Sequence, residues 1–530
     1  MRHYLFTPLL SGFLILLPFV VVGQWQWMQS IGGNGIDNSG GLVVAGENPN
    51  VFVAGVFAGG AWGGNDIFLT SLDNNGATAW SFNGGGPLDD EVTAVASDAA
   101  GNILVAGAYW LNATFAGVTL EAEQSSRSLF ILNVSPEGTL RWAKNLHGTA
   151  IKKIGAVGAD TAGNIYISGY FQGQLSLDEW VLEANGATDF FIARLNEDGI
   201  VTWAVHAGQT GDTRITAMAV KPEGGFVAGG YFNAITQIGD YQFTANTYDR
   251  DVFIASYDAD GALLWARKAG GVHNDELTGI ALDEEGTVYA TGYLVGVMNL
   301  GEGITIQSAN GNPDFFVLKY NNEGLPLQAR AMGGALRDQS MAIAHNENGV
   351  ALTGFFLDEM YIDGQTLTNH GQTAGFILRF DESLALLQAE TMHSDEGPVY
   401  AMQLAIDHAG KLVVAGSFEG TLQYGNADLT AAGAADVFVG KWSPLSTSTI
   451  TPTSASPYLS VFPNPARGQF EITSPLTLQN IRVFDQQGKL IYKTARPELI
   501  TADNWPAGAY RIIAHTSDGR ILETGLLIQR

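Results

Sequence analysis

Six aspartates recur at one place in a repeated pattern, and their carboxylates are the side chains best suited to chemistry. They are Asp37, Asp90, Asp212, Asp275, Asp338 and Asp395. Each stands in the link between two apolar segments, and Lys152 takes that place in one copy. Converging carboxylates suit Ca²⁺, which takes about six to eight oxygen ligands. We favour a structural role instead, in which each aspartate accepts backbone N–H bonds in its own turn. No cofactor is therefore predicted, and Ca²⁺ is the alternative.

The links belong to a unit that recurs seven times. Successive units begin 53 to 63 residues apart, each at one anchor residue. The anchors are Trp27, Trp80, Trp142, Trp203, Trp265, Gln328 and Gln388. Each unit has four short segments rich in Val, Ile, Phe and Tyr between Gly, Asp and Asn turns, which is typical of strands. Four strands in a recurring unit of this size predict an all-β fold, a seven-bladed β-propeller over residues 24–442.

The second segment of each unit contains a glycine, as in VAGVF at 53–57 and ATGYL at 290–294. A glycine inside a strand marks a close approach of another backbone, so we expect neighbouring blades to approach there.

The two ends of the repeat region complement each other. Residues 25–30, WQWMQS, have the sequence of a fourth strand, whereas ADVFVGKW at 435–442 is a third strand with no fourth after it. We expect the N-terminal strand to complete the last blade and close the propeller, which would also protect two sheet edges.

Residues 4–23 are an apolar run after Arg2 that ends with the small residues Val21 and Gly23 at the −3 and −1 positions of residues 1–23. This predicts a secretory signal peptide with the mature chain starting at Gln24, and an N-terminal membrane anchor is the alternative. No second apolar span of about 20 residues follows, so no transmembrane segment is expected after signal cleavage.

Composition excludes several classes of partner and site. The 53 acidic and 26 basic residues give a net charge of −27, which disfavours nucleic acid, whose phosphates need basic patches. The sequence has no cysteine, which excludes disulfides, thiol catalysis and Cys-ligated zinc.

The composition changes after Trp442. Residues 443–457 are rich in Ser, Thr and Pro and are predicted to be an extended linker. Residues 458–530 have short strand-like segments with regular turns, which predicts a small Ig-like β-sandwich. Its opening resembles the type A C-terminal sorting domain of the type IX secretion system of Bacteroidetes. The residues that carry this resemblance are Val461, Phe462, Pro463, Asn464, Pro465 and Gly468.

The resemblance implies that residues 458–530 contact the secretion machinery and are usually removed after passage through the outer membrane. The mature protein would then be released or attached to the outer cell surface. The seven units also resemble bacterial SBBP-type β-propeller repeats, through their Trp…Gly-Gly…Asp, Asp-x-x-Gly-Asn and Gly-Tyr-Phe patterns. That family has no single activity, so the resemblance implies a fold and not a function.

The leading function hypothesis is a non-enzymatic binding or interaction protein with a glycan or protein ligand on a propeller face. Loops at the ends of a rigid β scaffold commonly carry function. Four aromatic residues outside the repeat positions are candidates for lectin-like contacts: Trp62, Tyr109, Trp110 and Trp180. The alternative is a secreted polysaccharide-acting enzyme with its site at the channel mouth.

Overall fold

The computed structural model describes residues 24–46, 50–123, 127–245, 248–424, 427–443, 460–462, 469–474, 477–484, 489–494, 499–502, 504–506, 508–516 and 521–528. The predicted signal peptide and residues 444–457 of the predicted linker lie outside them. The chain divides into two compact units, Met1–Leu445 and Ser446–Arg530. The described residues form antiparallel sheets without an α-helix, none of which closes on itself. The predicted all-β class is therefore confirmed. None of these residues belongs to a helix long and apolar enough to cross a membrane.

Strand β1 (Gln24–Ile31) opens the described part of the chain, and three sheets follow. Sheet 1 contains β2 (Asn38–Ala45), β3 (Asn50–Ala58), β4 (Asn65–Leu72) and β5 (Thr78–Gly85). Sheet 2 contains β6 (Glu91–Ser97), β7 (Ile103–Trp110), β10 (Arg127–Val134) and β11 (Leu140–Gly148); the hairpin of β8 (Asn112–Phe115) and β9 (Val118–Glu121) is inserted between β7 and β10 and pairs with β5 of sheet 1. Sheet 3 contains β12 (Lys152–Ala159), β13 (Ile165–Phe171), β16 (Asp189–Leu195) and β17 (Val201–Ala207); the hairpin of β14 (Gln174–Leu177) and β15 (Trp180–Glu183) is inserted between β13 and β16 and pairs with β11 of sheet 2.

Four further sheets repeat this plan. Sheet 4 contains β18 (Thr213–Val220), β19 (Phe226–Phe232), β22 (Asp251–Tyr257) and β23 (Leu263–Ala269); the inserted hairpin of β20 (Ile235–Ile238) and β21 (Tyr241–Thr244) forms a separate two-stranded sheet. Sheet 5 contains β24 (Glu276–Leu282), β25 (Val288–Leu294), β28 (Asp314–Tyr320) and β29 (Pro326–Gly334); the inserted hairpin of β26 (Val297–Gly301) and β27 (Ile304–Gln307) is also a separate two-stranded sheet. Sheet 6 contains β30 (Asp338–Asn346), β31 (Gly349–Phe356), β34 (Ala374–Phe380) and β35 (Leu386–Ser394); its inserted hairpin of β32 (Glu359–Ile362) and β33 (Gln365–Thr368) pairs with β29 of sheet 5. Sheet 7 contains β36 (Val399–Ile406), β37 (Leu412–Phe418) and β40 (Asp436–Ser443), with β1 as its fourth strand; its inserted hairpin of β38 (Thr421–Tyr424) and β39 (Ala427–Thr430) pairs with β35 of sheet 6.

The first strands of the seven sheets lie side by side. Each first strand contacts that of the next sheet, and β36 of sheet 7 contacts β2 of sheet 1. Apolar cores lie between neighbouring sheets; one of them joins Leu42 and Val53 of sheet 1 to Val413 and Val439 of sheet 7. Strand β1 pairs antiparallel with β40, from Gln24 opposite Ser443 to Ile31 opposite Val437.

Every first strand contains an irregularity of register against its second strand, for example between Leu277 and Gly279 of β24. A side chain on Gly292 of β25 would collide with the backbone carbonyl of Glu276 beside this bulge. The same collision would occur at the corresponding glycine of each second strand. A glycine therefore recurs at this position because the β-bulge within the same sheet leaves no room for a side chain. The expectation that these glycines allow neighbouring blades to approach was wrong.

The anchor tryptophans join neighbouring sheets. The Trp265 indole lies over Gly324 in the turn before β29, and a Cβ on Gly324 would be 2.6 Å from Trp265 Cδ2. The Trp265 Nε1–H also donates to the carbonyl of Asn322, at 2.8 Å. Trp27, Trp80, Trp142 and Trp203 make the same pair of contacts with the next turn. In the sixth unit Gln328 replaces the tryptophan, and Leu384 replaces the glycine beneath it.

The inserted hairpins also reach across to the preceding sheet. The first strand of the hairpin pairs with the fourth strand of that sheet in β8 with β5, β14 with β11, β32 with β29 and β38 with β35. This pairing adds main-chain hydrogen bonds to the apolar contact between sheets.

The C-terminal unit has two sheets. Its strands are β41 (Ser460–Phe462), β42 (Gln469–Thr473), β43 (Leu478–Phe484), β44 (Leu490–Thr494), β45 (Leu499–Thr501), β46 (Gly508–Thr516) and β47 (Ile521–Ile528). The sheet orders are β41-β42-β45 and β44-β43-β46-β47. Phe470 and Ile472 of the first sheet share one buried cluster with Ile481, Val483 and Ile512 of the second.

Candidate functional site

The strand register shows which link residues are equivalent in the seven units. The equivalent residue lies opposite the last apolar residue of the second strand, as Asp338 lies opposite Phe356. By the same register, the equivalents in the fourth and seventh sheets are Thr213 opposite Phe232 and Val399 opposite Phe418. The assignment of Asp212 and Asp395 to the recurring position was therefore wrong by one and four residues. Asp395 is exposed, and Asp212 forms an ion pair with Arg214 at 3.1 Å.

Four of the predicted aspartates occupy the equivalent position and are buried: Asp37, Asp90, Asp275 and Asp338. Each lies near a second aspartate, which is the first or second residue of the third strand of the preceding sheet. The pairs are Asp37 with Asp436, Asp90 with Asp66, Asp275 with Asp251, and Asp338 with Asp314. These carboxylates therefore face the interior of the protein and not a shared channel.

The pair of Asp314 and Asp338 illustrates the geometry. Both side chains flank Gly333, where a Cβ would collide with Oδ1 of Asp314 and lie 2.7 Å from Oδ2 of Asp338. The backbone N–H groups of Ala309 and Gly334 donate to Asp314 and Asp338, respectively. The Oδ1 atoms of both aspartates are buried and have no hydrogen-bond partner among the described residues. Asp314 and Asp338 thus each accept a backbone N–H bond within their own link.

Burial raises the pKa values of these carboxyl groups because the charged form loses its water. The pKa of Asp338 rises from 3.8 to about 7, with a further contribution from the charge of Asp314. The pKa of Asp90 rises to about 7 and that of Asp275 to about 8, again mainly through burial. Within the described part of the chain, no three His, Cys, Asp or Glu side chains come together as a metal site would require.

Lys152 occupies the equivalent position in the third unit and is also buried. Its ammonium donates to the carbonyls of Gly148 at 2.9 Å and Ala150 at 3.1 Å. Burial lowers the pKa of Lys152 to about 8. The third-strand position of that junction holds Ser128 and not Asp, so both positions differ from those of the four junctions with paired aspartates.

A second set of side chains lies beside the N-terminal ends of the first strands. We call it the basic–aromatic arc. It consists of Arg127, Lys153, Arg214, Arg250 and Arg337 with Tyr170, Tyr231, Tyr293, Phe355 and Tyr400. Four of the aromatic residues occupy one position of the second strands, as shown by the pairs Lys153–Tyr170, Arg214–Tyr231, Glu276–Tyr293 and Gln339–Phe355.

Three guanidinium groups of the arc, those of Arg214, Arg250 and Arg337, stack on its aromatic rings. Arg214 Cζ lies 4.6 Å from the Tyr170 ring centroid and 5.8 Å from that of Tyr231. Arg250 Cζ lies 4.5 Å from the Tyr231 centroid. A cation over an aromatic face is attracted by the ring quadrupole. The arc is therefore a continuous network and not a set of separate residues.

The far end of the arc continues through Arg337. Its Cζ lies 5.7 Å from the Phe355 centroid and 6.0 Å from that of Tyr293. The Phe355 and Tyr400 rings meet edge to face with centroids 5.1 Å apart.

Carboxylates neutralise most of the cations of the arc. Glu91 pairs with Arg127 and with Lys153, the latter at 2.8 Å. Glu276 pairs with Arg250. Arg337 differs, because it is exposed and none of the carboxylates in the described segments forms an ion pair with it; it donates to the amide oxygen of Gln339 at 2.7 Å.

Arg337 borders a cavity of about 440 Å³ between the N-terminal ends of β30, β36 and β2. Phe355, Tyr400 and Met402 supply apolar walls, and Asn38 and Gln339 supply polar groups. Small-molecule sites commonly have volumes of about 300–1,000 Å³, apolar walls and a few polar groups. The cavity therefore has the size and chemistry of a ligand site.

The sequence also contains a signal for the arc. The residue after the second-strand glycine is aromatic in ISGYF, AGGYF, ATGYL and LTGFF. These aromatic residues recur with the repeat, so their recurrence alone indicates a strand position and not a site. Among the predicted lectin-like aromatics, Trp62 and Trp110 are exposed, Trp180 is half-buried and Tyr109 is fully buried. Tyr109 is therefore corrected from a ligand contact to a core residue.

The sorting-motif residues are described only in part. Val461 and Phe462 belong to β41 and lie opposite Ile472 and Glu471 of β42. Pro463, Asn464, Pro465 and Gly468 lie outside the described residues.

Comparison with known protein families indicates the role of the C-terminal segment. Residues 460–526 match the family model described as a secretion system C-terminal sorting domain. The protein is secreted or exposed at the cell surface. The match supports export through the type IX secretion system of Bacteroidetes and an interaction with that machinery.

The rest of the chain has more distant relatives. It is 24% identical over 442 residues to an uncharacterized WD repeat-containing protein of Acanthamoeba polyphaga mimivirus, which covers 68% of this chain and 32% of that protein. The chain thus spans about a third of that relative's length.

Two solved structures show a weak likeness. Sqt1 from Chaetomium thermophilum matches with a TM-score of 0.38 and 11% identity, over 79% of this chain and 99% of that one. The extracellular domain of a putative hybrid two component system from B. thetaiotaomicron matches with a TM-score of 0.26 and 12% identity, over 92% and 68%. No conclusion about this chain rests on these two scores.

Proposed function

We propose that residues 24–442 form a seven-bladed β-propeller closed by the N-terminal strand. Three observations support this architecture: seven sheets follow one plan, their first strands contact one another in order, and β36 contacts β2. The pairing of β1 with β40 supports the closure.

The function that we propose is non-enzymatic binding outside the cell. The basic–aromatic arc carries this proposal, because its far end places Arg337, Phe355 and Tyr400 on the wall of an open cavity. The rival function, a polysaccharide-acting enzyme, needs carboxylates that a substrate can reach. Asp275 and Asp338, whose raised pKa values would suit an acid catalyst, are fully buried.

A screen of the full chain against glycans and proteins, with binding and product formation both measured, tests this function. We expect saturable binding without turnover. Polysaccharide cleavage that is lost in Asp275→Asn or Asp338→Asn would establish the enzyme instead. Complete absence of saturable binding would favour a purely structural surface protein.

We also propose that the chain is processed at both ends. Residues 1–23 act as a signal peptide, and residues 458–530 are removed after export. Mass spectrometry of the medium and the cell surface should find a mature protein that begins at Gln24 and lacks the sorting domain. A mature protein in the periplasm that keeps residues 458–530 would contradict this course.

A further inference from the structure

The cavity beside Arg337 has a chemistry that selects one class of ligand. Arg337 offers a planar fork of N–H donors, which suits carboxylate or sulfate oxygens better than an ammonium does. None of the described carboxylates forms an ion pair with this guanidinium, although the whole chain has a net charge of −27. In a protein so acidic, an exposed arginine without an acidic partner is available for an external anion.

The walls of the cavity suit a flat ligand with an apolar face. Phe355 and Tyr400 meet edge to face, and Met402 adds a flexible apolar contact. A pyranose ring presents one face of C–H groups, which packs against an aromatic ring, while its hydroxyls point sideways. Asn38, Gln339 and the exposed Glu419 lie on the same cavity and are hydrogen-bonding groups for such hydroxyls.

We infer that this cavity binds an anionic saccharide, with the acidic group of the sugar on Arg337 and a sugar ring against Phe355 and Tyr400. This inference rests on the proposed binding function and names its ligand class. The anion is a uronate carboxylate or a sugar sulfate, since both present oxygens in the geometry of the guanidinium fork. The negative charge of Glu419 repels a second anionic group, so the cavity binds one acidic group of the saccharide.

Calorimetric titration of the full chain tests the ligand class. The probes are a galacturonate oligomer, a sulfated galactose oligomer and a neutral galactose oligomer of equal length. Binding of either anionic oligomer at least about tenfold tighter than the neutral one supports the inference, and the tighter of the two identifies the acidic group. Equal affinity for the neutral oligomer, or no binding of any of the three, overturns it.

Variants locate the site. Arg337→Ala should weaken binding of the anionic oligomer about tenfold or more, as the loss of a charge-assisted bond does. Arg337→Lys keeps the charge and should retain part of the affinity. Arg141→Ala removes an exposed arginine of β11 and should change affinity less than about twofold, so it controls for net charge. Unchanged binding in Arg337→Ala, with unfolding like that of the wild type, overturns the inference.

The outcome also separates this inference from the proposed function. If the three oligomers fail but a protein or another glycan binds saturably, the binding function stands and the anionic-saccharide site is wrong. If nothing binds saturably, both are wrong.

Discussion

Asp338→Asn tests whether the paired carboxylates are structural. Burial raises the pKa of Asp338 from 3.8 to about 7. Such a group binds its proton more tightly in the folded state than in the unfolded state. Its contribution to stability is therefore fully present below pH 3.8 and is lost as the pH rises through about 7. At 1.36 kcal/mol per pKa unit, this difference corresponds to about 4 kcal/mol, shared in part with Asp314.

Asparagine has nearly the same shape as aspartic acid and stays neutral at every pH. Its oxygen can still accept the Gly334 N–H, and its amide can donate to Asp314 as a protonated carboxyl would. We expect Asp338→Asn to be more stable than the wild type by about 1–2 kcal/mol at pH 5, because the carboxyl group is already ionised in the unfolded state at that pH. At pH 8.5 it should be more stable than the wild type by about 2–4 kcal/mol.

Urea unfolding at pH 5 and pH 8.5 measures the effect as the change in the free energy of unfolding of each variant. Asp395→Asn is the matched control, because Asp395 is an exposed link carboxylate outside the pairs. The difference in free energy of unfolding between Asp395→Asn and the wild type should be the same at both values of pH. The reasoning is refuted if Asp338→Asn destabilises the protein equally at pH 5 and pH 8.5. It is also refuted if the variant loses as much stability as the wild type between them.

Three further predictions address the sheets and their junctions. Gly324→Ala should destabilise the protein by about 2 kcal/mol or more, because φ is +77° and the new methyl group meets Trp265; denaturant unfolding should show a smaller cost in a Trp265→Ala background, and equal costs would exclude the contact. Lys152→Met should be more stable than the wild type at pH 7 and lose that advantage toward pH 11, because the depressed folded pKa of about 8 makes the lysine destabilising at pH below its unfolded value; a pH-independent difference in unfolding would contradict this. The cysteine pair Gln29→Cys and Val439→Cys, which are partners in β1 and β40, should form a disulfide in the otherwise cysteine-free chain and raise the unfolding midpoint. Free thiols after oxidation would argue against the closure.

The sequence predicted the kind of elements well, because that information is local. Short β-branched and aromatic segments between Asp-x-x-Gly turns can form only strands and tight turns. The turn carboxylates behave accordingly: Asp98 Oδ1 accepts the N–H groups of Ala100 and Asn102, each at 2.9 Å. The sorting domain was also recognisable from local motifs, since its family model matches residues 460–526.

The placement of individual side chains needed the tertiary structure. Asp212 seemed equivalent to Asp275 by spacing, but the register assigns that position to Thr213. In a strand, a shift of one residue turns every side chain to the opposite face. Spacing counted along a chain with variable links cannot fix such a shift.

What the sequence by itself determined was the all-β class, the sevenfold repetition and the C-terminal sorting domain. What only the tertiary structure decided was the pairing of carboxylates between sheets and the assembly of the basic–aromatic arc. Arg214 and Tyr170 are far apart along the chain and come from different sheets, yet their side chains stack. The physical reason is that each sheet contributes one or two residues at the same height, and only packing of the sheets side by side brings these residues into contact.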